Sequence, residues 1–436
     1  MKKYNKEIKR YDFTQKPRKP SKVFMGLIKF FALNPVIAGL GFKCEKVNME
    51  GIKPPYFLLC NHASKMDHRL LLKSIKPYNM NYVIAIDSVH YRTIRFTRLT
   101  GCIVKRKFVQ DFNLIRNMKY CVENYGTPLV VYPEARYSFD GTPNYVPPSL
   151  GKMAKLLKVP LVIGIFYGNF ICMPQWNKGH FYARRPHVES KLKCIATAEE
   201  VQTLSAEELN RRIQENFVYD DFKYQYDNKI SLKYKKRAKG LHHILYQCCE
   251  CGAEFEMYSY GTTLECRHCG KKWNMTEYGR LEAYDGNTRF PHIPDWFKWE
   301  RGNVKREVEQ GTYLFEDEVE VYNLPKNKYF SQGKGKFRQD MTGTYFSCNY
   351  YGEPLEMHFT PNELDSIQID FDHRGRSRKQ FFGDCVSLSN ADDSFWLHPI
   401  NVRGCIMKIS FAAEELHILS MQKLKNGQKT IAAAAE

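Results

Sequence analysis

Short apolar runs alternate with helical stretches between residues 50 and 190, and this alternation limits the fold more than any other feature of the sequence. The runs that resemble buried strands are PYFLLC (55–60), YVIAI (82–86), PLVVYP (128–133) and PLVIGIF (160–166). The stretches with helical spacing are 69–76, 111–126 and 149–158. Strands that alternate with helices build a layered α/β domain, so the sequence predicts a mixed sheet with flanking helices.

A different texture begins near residue 295, where short aromatic and β-branched runs are separated by turn residues. The runs are TYLF (312–315), VEVYNL (319–324), GTYFSCNY (343–350), LEMHF (355–359), SIQIDF (366–371), FFGDCVSLS (381–389), FWLH (395–398) and CIMKISF (405–411). They predict an all-β module. Residues 412–424 have the spacing of an amphipathic helix, and many strands closed by one helix fit a pleckstrin-like barrel.

Five of the 14 cysteines lie close together between residues 248 and 269. Cys248 and Cys251 form one C-x2-C pair, Cys266 and Cys269 form a second, and a glycine follows each pair. Four thiolates at this spacing are typical of a structural zinc site, so the sequence predicts a zinc ribbon. The other nine cysteines are scattered singly, which indicates a reducing compartment rather than a disulfide framework.

The chain is strongly basic, with a formal net charge of +19, and this excess predicts anionic partners. Nucleic acid, an anionic membrane surface and phosphorylated substrates all fit the charge alone. The cysteine cluster carries Arg267 against four glutamates, Glu250, Glu254, Glu256 and Glu265. A nucleic-acid footprint should concentrate positive charge on the binding element, which argues against nucleic acid. A zinc-ribbon nucleic-acid-binding protein remains the alternative interpretation.

Residues 23–42 are mostly apolar, but Lys29 and Pro35 interrupt them, so they make a poor membrane span. The preceding residues 1–22 carry a net charge of +7, from nine Lys and Arg against Glu7 and Asp12. Together they predict an amphipathic segment that docks on the cytoplasmic face of a phospholipid membrane. The alternative is a helix that packs on the protein's own core.

With 436 residues the chain is too long for one core of ordinary size, so several units are expected. The predicted boundaries are 1–42 for the basic tail and docking segment, 43–225 for the α/β domain, 226–246 for a charged connector helix, 247–290 for the zinc ribbon, 291–425 for the β module and 426–436 for a tail.

Polar residues follow several of the predicted strands of the α/β domain. Asn61 and His62 leave the first strand, and Asp67 lies five residues beyond His62, too far around a continuous helix to share its face. The two could meet if His62 lies in the loop and Asp67 in the first turn of the next helix. A histidine held by a carboxylate is a good general base near neutral pH.

Two further loops carry charged groups. The stretch GCIVKRK places Gly101 before Lys105, Arg106 and Lys107, and VVYPEARYS places Glu134 and Arg136 after the third strand. Loops that leave the strand ends of an open α/β sheet form the ligand crevice, so these groups should surround His62.

In these blocks the sequence resembles the glycerolipid acyltransferase family that includes 1-acylglycerol-3-phosphate acyltransferase. The hallmark N-H-x4-D is matched by Asn61, His62 and Asp67, and the second block by Gly101 to Lys107. The third block, F-P-E-G-T-R-S, resembles Tyr132-Pro133-Glu134-Ala135-Arg136-Tyr137-Ser138, and the fourth resembles 159–162. The third block departs from the family, because alanine stands for glycine and the arginine comes one place early.

The resemblance implies acyl transfer from a thioester of coenzyme A or acyl carrier protein to a lysophospholipid such as lysophosphatidic acid. It implies that His62 is the general base and that Asp67 orients it. No acyl-enzyme is required, since no serine or cysteine beside His62 is placed as an obvious nucleophile. One of three cations, Lys105, Arg106 or Lys107, would hold the acceptor phosphate together with Arg136. Glu134 would bind an acceptor hydroxyl or pin those cations, and Asn61 and Gly101 complete the substrate site. The altered third block keeps open a non-catalytic, lipid-binding scaffold.

Overall fold

The computed structural model describes residues 11–33, 42–89, 93–109, 111–177, 187–325, 329–374 and 381–435. Within them the chain forms three sheets: a seven-stranded mixed sheet, a four-stranded sheet and a second seven-stranded sheet. The predicted mixed α/β sheet with flanking helices and the separate all-β sheet are both confirmed.

The mixed sheet holds the first seven strands in the order β1-β7-β6-β2-β5-β3-β4. Their bounds are β1 Lys43–Val47, β2 Phe57–Cys60, β3 Asn81–Ala85, β4 Cys102–Lys105, β5 Leu129–Val131, β6 Leu161–Tyr167 and β7 Glu189–Ala196. Strands β6, β2, β5, β3 and β4 run parallel, whereas β7 is antiparallel to β6 and carries β1 at the edge. The carboxyl ends of the five parallel strands therefore meet at one edge of the sheet.

Nine helices belong to the described part of this domain and its N-terminal extension. They are α1 Lys22–Ile28, α2 Asp67–Ser74, α3 Ile94–Arg98, α4 Phe112–Tyr125, α5 Leu150–Leu157, α6 Asn169–Cys172, α7 Ala198–Thr203, α8 Ala206–Asn216 and α9 Asp221–Asp227. Local sequence sets their ends: Asp111 caps the first turn of α4, and Gly126 ends it in a left-handed conformation. Ser205 accepts from the backbone N–H of Glu208 at the start of α8, as its sequence predicts.

The central strand β2 is buried along its whole length, and its side chains alternate between two apolar cores. Leu58 and Cys60 face one core, and Phe57 and Leu59 face the other. This alternation follows from the two-residue period of a strand, and it explains why the strand reads as an unbroken apolar run.

The four-stranded sheet follows in the order β11-β10-β9-β8 and is antiparallel throughout. Its strands are β8 Met257–Tyr260, β9 Thr263–Cys266, β10 Lys272–Met275 and β11 Leu281–Ala283. Trp273 on β10 packs edge-on against Trp296, with ring centroids 4.9 Å apart. Trp296 belongs to α10, Ile293–Glu309, a helix inside the segment that the sequence predicted to be β-rich.

The predicted connector helix over 226–246 is not one helix. Helix α9 ends at Asp227, a single 3-10 turn covers Leu241–His243, and turns and irregular backbone fill the rest of the interval. Charged composition alone does not make a helix, and here the segment lies along the four-stranded sheet instead: the backbone N–H of Ala238 donates to the carbonyl of Gly261 at 3.0 Å.

The C-terminal sheet is antiparallel in the order β15-β14-β13-β12-β18-β17-β16. Its strands are β12 Leu314–Asn323, β13 Phe330–Asp340, β14 Gly343–Tyr350, β15 Glu353–Phe359, β16 Gln368–Arg374, β17 Phe381–Ser389 and β18 Ser394–Pro399. Helix α11, Ile406–Ala435, follows and includes the predicted helix 412–424. The run 405–411, predicted as a strand, belongs mainly to this helix, and the pleckstrin-like barrel stays a prediction.

The predicted docking segment is partly described. Helix α1 continues into a short π-helix, Lys29–Leu33, whereas 1–10 and 34–41 lie outside the described residues. Met25 and Leu33 are buried, but Val23, Leu27, Phe30 and Phe31 are exposed. No helix among the described ranges combines the length and the apolar character that a bilayer crossing needs.

Helices α5 and α8 approach so closely that the contact requires a glycine. A Cβ on Gly151 would lie 2.0 Å from the carbonyl oxygen of Ala206, whereas a Cβ on Gly302 of α10 would meet nothing within 4 Å. We expect Gly151→Ala to lower the free energy of unfolding by about 1–3 kcal/mol through overpacking. Gly302→Ala should raise it by about 0.5–1 kcal/mol, because alanine is the better helix former.

Urea unfolding of both variants measures whether the free energy of unfolding falls in Gly151→Ala and rises in Gly302→Ala. A Gly151→Ala protein as stable as the wild type would show that α5 and α8 are not in backbone contact.

Candidate functional site

The parallel strands of the mixed sheet bring three of the predicted loops to one edge. Strand β2 ends at Cys60 and leads into the loop of His62, β4 ends at Lys105, and β5 leads into the loop of Glu134. These strands are neighbours or next neighbours, because β2 pairs with β5, β5 with β3, and β3 with β4. The topology therefore places the loops around one crevice.

His62 and Asp67 meet in the way that the loop-and-helix arrangement allows. His62 lies in the loop after β2, Asp67 is the first residue of α2, and His62 Nδ1 is 2.7 Å from Asp67 Oδ2. Because a carboxylate oxygen accepts hydrogen bonds, Nδ1–H is the donor. That fixes the tautomer and leaves Nε2 as the nitrogen with a lone pair.

Asp67 is buried, and several donors hold its two oxygens. The backbone N–H groups of Ala63 and Ser64 donate at 2.8 Å and 3.0 Å, and the Asn169 amide donates to Oδ1. These contacts fold the loop tightly around the carboxylate. The imidazole orientation is therefore set by the folded loop and does not depend on a substrate.

The imidazole of His62 lies between two tyrosine rings. Its centroid is 4.3 Å from that of Tyr132 and 4.1 Å from that of Tyr137, and its side chain keeps 23% of its surface exposed. Both tyrosines belong to the third motif block, but sequence reasoning gave them no role. The sequence signal that could have predicted this packing is the pair of aromatic residues at the two ends of the polar stretch 133–136.

Glu134 is buried and supports the loop backbone. The backbone N–H of His62 donates to its Oε1 at 3.0 Å, and Asn144 and Tyr219 donate from other directions. Burial raises the pKa of Glu134 to about 7, although these hydrogen bonds oppose the rise. The hydrogen bonds that Glu134 accepts come from His62, Asn144 and Tyr219. Among the described residues it accepts none from Lys105, Arg106, Lys107 or Arg136.

Asn61 and Gly101, predicted to bind substrate, have structural contacts in the fold. Asn61 exchanges two hydrogen bonds with the backbone of Phe166 on β6, at 2.9 Å and 2.8 Å. Gly101 lies at the start of β4, the opposite end from Lys105, and has φ of +91°. A Cβ there would lie 2.6 Å from Pro20 and 2.7 Å from the carbonyl oxygen of Met80.

Three consecutive cations, Lys105, Arg106 and Lys107, lie where β4 ends, and their side chains point in different directions. Lys105 and Lys107 line the crevice beside His62. Lys107 forms an ion pair with Asp87 at 3.3 Å, and burial lowers the pKa of Lys105. Arg106 turns to the C-terminal sheet, where it donates to the carbonyl of Asp392 at 2.7 Å.

Arg136 lines the crevice, but its guanidinium binds residues of the C-terminal module. It is buried, forms an ion pair with Glu414 of α11, and donates to Ser410 and to the carbonyl of Ile367 at 3.1 Å. This placement does not support the phosphate-binding role predicted for Arg136. No local sequence signal could have revealed partners so distant along the chain.

The crevice is a cavity of about 640 Å³ that two parts of the chain enclose. The α/β domain supplies His62, the two lysines and an apolar side. The C-terminal module supplies the opposite wall, which includes Asp365 and His417. Sequence reasoning assigned this module no part in the site.

The four predicted zinc ligands come together in space. Cys248 Sγ lies 3.8 Å from Cys269 Sγ, and Cys251 Sγ lies 3.8 Å from Cys266 Sγ. All four sulfurs lie within 4.8 Å of one another. Sulfurs bound tetrahedrally to zinc at about 2.3 Å are about 3.8 Å apart, so the cluster fits a zinc ion. Disulfide-bonded sulfurs would be about 2.05 Å apart, which excludes those two pairings.

Comparison with known proteins gives a limited result. No protein-family model and no curated protein matches the chain. The structure is similar to that of the 1-acyl-sn-glycerophosphate (LPA) acyltransferase PlsC from Thermotoga maritima, with a TM-score of 0.35 and 19% sequence identity. The match covers 45% of this chain and 76% of the PlsC chain. At this level the likeness assigns no residue a role.

The cysteine cluster makes a testable prediction about metal and stability. Cys266→Ser removes one of four thiolates, and we expect one equivalent of zinc to be lost and the melting temperature to fall, because structural zinc contributes folding energy. Cys249→Ser is the matched control, since Cys249 is adjacent in sequence but outside the cluster. Elemental analysis and thermal unfolding measure both effects. Equal zinc in the wild type and in Cys266→Ser would contradict the assignment.

Proposed function

We propose that the protein is a membrane-associated O-acyltransferase. It moves a fatty acyl group from a thioester of coenzyme A or acyl carrier protein to the free hydroxyl of a lysophospholipid. The acceptor is of the 1-acylglycerol-3-phosphate type, and the product is phosphatidic acid. The observation that carries the proposal is the His62–Asp67 pair, whose Nδ1 and Oδ2 atoms are 2.7 Å apart. His62 lines a cavity that also has two lysines and apolar side chains in its walls.

In this reaction His62 acts as the general base. Nε2 takes the proton of the acceptor hydroxyl while that oxygen forms a bond to the thioester carbonyl carbon. The tetrahedral intermediate then collapses, the carbon–sulfur bond breaks, and the thiolate leaves with the proton that the imidazolium returns. Asp67 keeps its hydrogen bond to Nδ1–H and stabilises the imidazolium. General-base help of this kind contributes about 10²- to 10⁴-fold in rate.

The anionic end of the acceptor would lie near Lys105 and Lys107. Both line the cavity that contains His62, and ammonium groups bind phosphate as point charges. Arg106 and Arg136 bind residues of the C-terminal module, so we assign them to the junction with that module. Lys107 also has a protein partner, Asp87, but that ion pair lies within the α/β domain. On this proposal Lys105 and Lys107, rather than Arg106, are the cations that bind the phosphate.

The acyl chain would occupy the apolar side of the same cavity. Val83, Leu114, Met118 and Met153 line it, and 640 Å³ accommodates a lipid segment. Each buried methylene contributes about 0.8 kcal/mol, so a modest apolar channel can select for a long acyl chain.

A peripheral position on the cytoplasmic membrane face fits the N-terminal segment. Val23, Leu27, Phe30 and Phe31 expose 53–76% of their surfaces on one short helical segment. Phe96 on α3 lies beside it, with its ring 6.3 Å from that of Phe24, and is also exposed. Exposed apolar side chains next to a basic tail are typical of interfacial helices.

The activity prediction compares the wild type with His62→Ala, supplied with either acyl-thioester and with 1-acylglycerol-3-phosphate. We expect His62→Ala to lower the rate at least a hundredfold, because the base is lost. Asp67→Asn should also lower kcat, since it removes the charge that stabilises the imidazolium. His358→Ala, which alters an imidazole on β15 outside the cavity, should keep full activity.

Chromatographic detection of the acylated product gives the readout. A folded wild type that is inactive with both donors, or a His62→Ala variant as active as the wild type, would refute the proposal. The first result would leave the lipid-binding scaffold as the interpretation.

The membrane prediction tests the exposed apolar residues by replacing two of them with a negatively charged side chain. Leu27→Asp with Phe30→Asp should abolish co-flotation with anionic phospholipid vesicles, because both side chains would have to enter the acyl boundary. The folded state should survive, since both are exposed. Leu314→Asp, also at an exposed apolar position but on β12, is the control and should float as the wild type does. Unchanged flotation of the double variant would overturn membrane docking through α1.

A further inference from the structure

Three metal-ligand side chains converge on neighbouring strands of the C-terminal sheet, well apart in sequence from the cysteine cluster. His373 lies on β16, Cys385 on β17 and His398 on β18. Each offers one ligand atom, and these atoms all lie within 4.8 Å of one another. The sequence analysis gave none of the three a role.

The strand register explains the convergence. Val386 on β17 pairs with Leu397 on β18, and continuing that register by one residue places Cys385 opposite His398. On the other side Cys385 pairs with Asp370, and the register then shifts before His373 pairs with Gly383. Such a shift is a β-bulge, which redirects a side chain, and here it brings His373 to the same cluster.

All three side chains are buried, with 8% of His373, 0% of Cys385 and 3% of His398 exposed. Neither ring nitrogen of His398 has a hydrogen-bond partner of good geometry within the described structure, although the ring interacts with the backbone of Phe382 and Asp384. Burying polar nitrogens without partners costs free energy, and native proteins rarely do it without an ion or a water at the site. The buried imidazole therefore fits a place where one ring nitrogen binds an ion.

The surroundings orient the ring of His373. Its Nε2 lies 3.1 Å from the hydroxyl of Tyr329, so Nδ1 is the atom offered to the cluster. Metal-bound histidines almost always engage their other nitrogen in this way. The rings of His373 and His398 lie nearly parallel, at 5.4 Å and 18°, and Trp396 and Phe382 pack around them.

A second cavity of about 600 Å³ reaches one member of this cluster, His398. It is lined by His398 together with His243, Asp372 and Asp384. His243 Nδ1 and Asp384 Oδ2 form an ion pair at 3.0 Å, so these residues have partners of their own. Their carboxylates add negative charge to the entrance, which favours entry of a cation.

We propose that His373, Cys385 and His398 form a second metal site, which takes a borderline divalent ion of the zinc type. Two imidazoles and one thiolate suit Zn²⁺, whereas Mg²⁺ and Ca²⁺ prefer oxygen ligands. The three side chains would supply three ligands, which leaves a fourth position for water or an anionic ligand. This open position distinguishes it from the four-cysteine site, where protein atoms supply every ligand. The site does not depend on acyl transfer.

The experiment compares the zinc content of the full chain with that of His398→Ala and Cys385→Ser, after expression with zinc and dialysis against a weak chelator. We expect each variant to hold one equivalent of zinc per chain less than the wild type. His358→Ala, an imidazole change in the same sheet outside the cluster, should hold as much as the wild type. Equal zinc in the wild type and both folded variants would overturn the proposal.

A spectroscopic arm does not depend on how the variants fold. The wild-type chain loaded with ¹¹³Cd²⁺ should give two cadmium resonances, because a four-thiolate site and a site with one thiolate and two imidazoles differ strongly in shielding. A single resonance of four-thiolate character would refute the second site.

Discussion

Glu414 of helix α11 forms ion pairs with Arg136 of the α/β domain and with Arg301 of helix α10, and this charge cluster joins the α/β domain to both helices. Burial alone would raise the pKa of Glu414, but the two guanidinium groups outweigh it and hold the pKa below its ordinary value. Removing one partner from such a cluster leaves an uncompensated buried charge, which is costly by about 3–5 kcal/mol. The loop that carries the third motif block is therefore locked to the C-terminal helix.

The same cluster explains why part of the site could be predicted and part could not. His62 and Asp67 are five residues apart, so a turn between a strand and a helix sufficed to predict their meeting. The partner of Arg136 lies 278 residues away, and a single sequence carries no information about such a contact. The sequence could have predicted that Lys105 and Lys107 point to one side and Arg106 to the other, because side chains along extended backbone alternate between opposite sides.

The fold shows the same division. Apolar runs bounded by turn residues predicted β2, β3, β5 and β6 closely, since burial on both faces leaves a strong signal. Helix α10 was missed because it lies inside a segment read for its strands, although Ile293, Trp296 and Glu300 on one helical face are all buried. The connector was misread because charged residues fit a solvated helix and an irregular segment equally well.

Because the C-terminal module supplies one wall of the cavity, the cavity can be completed only after that module has been synthesised. His417 lies near the end of the chain, whereas His62 is made early, and domains fold in order as they are synthesised. The crevice of the α/β sheet therefore stays open on one side until α11 has been made and docked. A nascent chain would therefore hold His62 and Asp67 in a crevice that lacks one wall, and any ligand would meet the complete cavity only after α11 has docked.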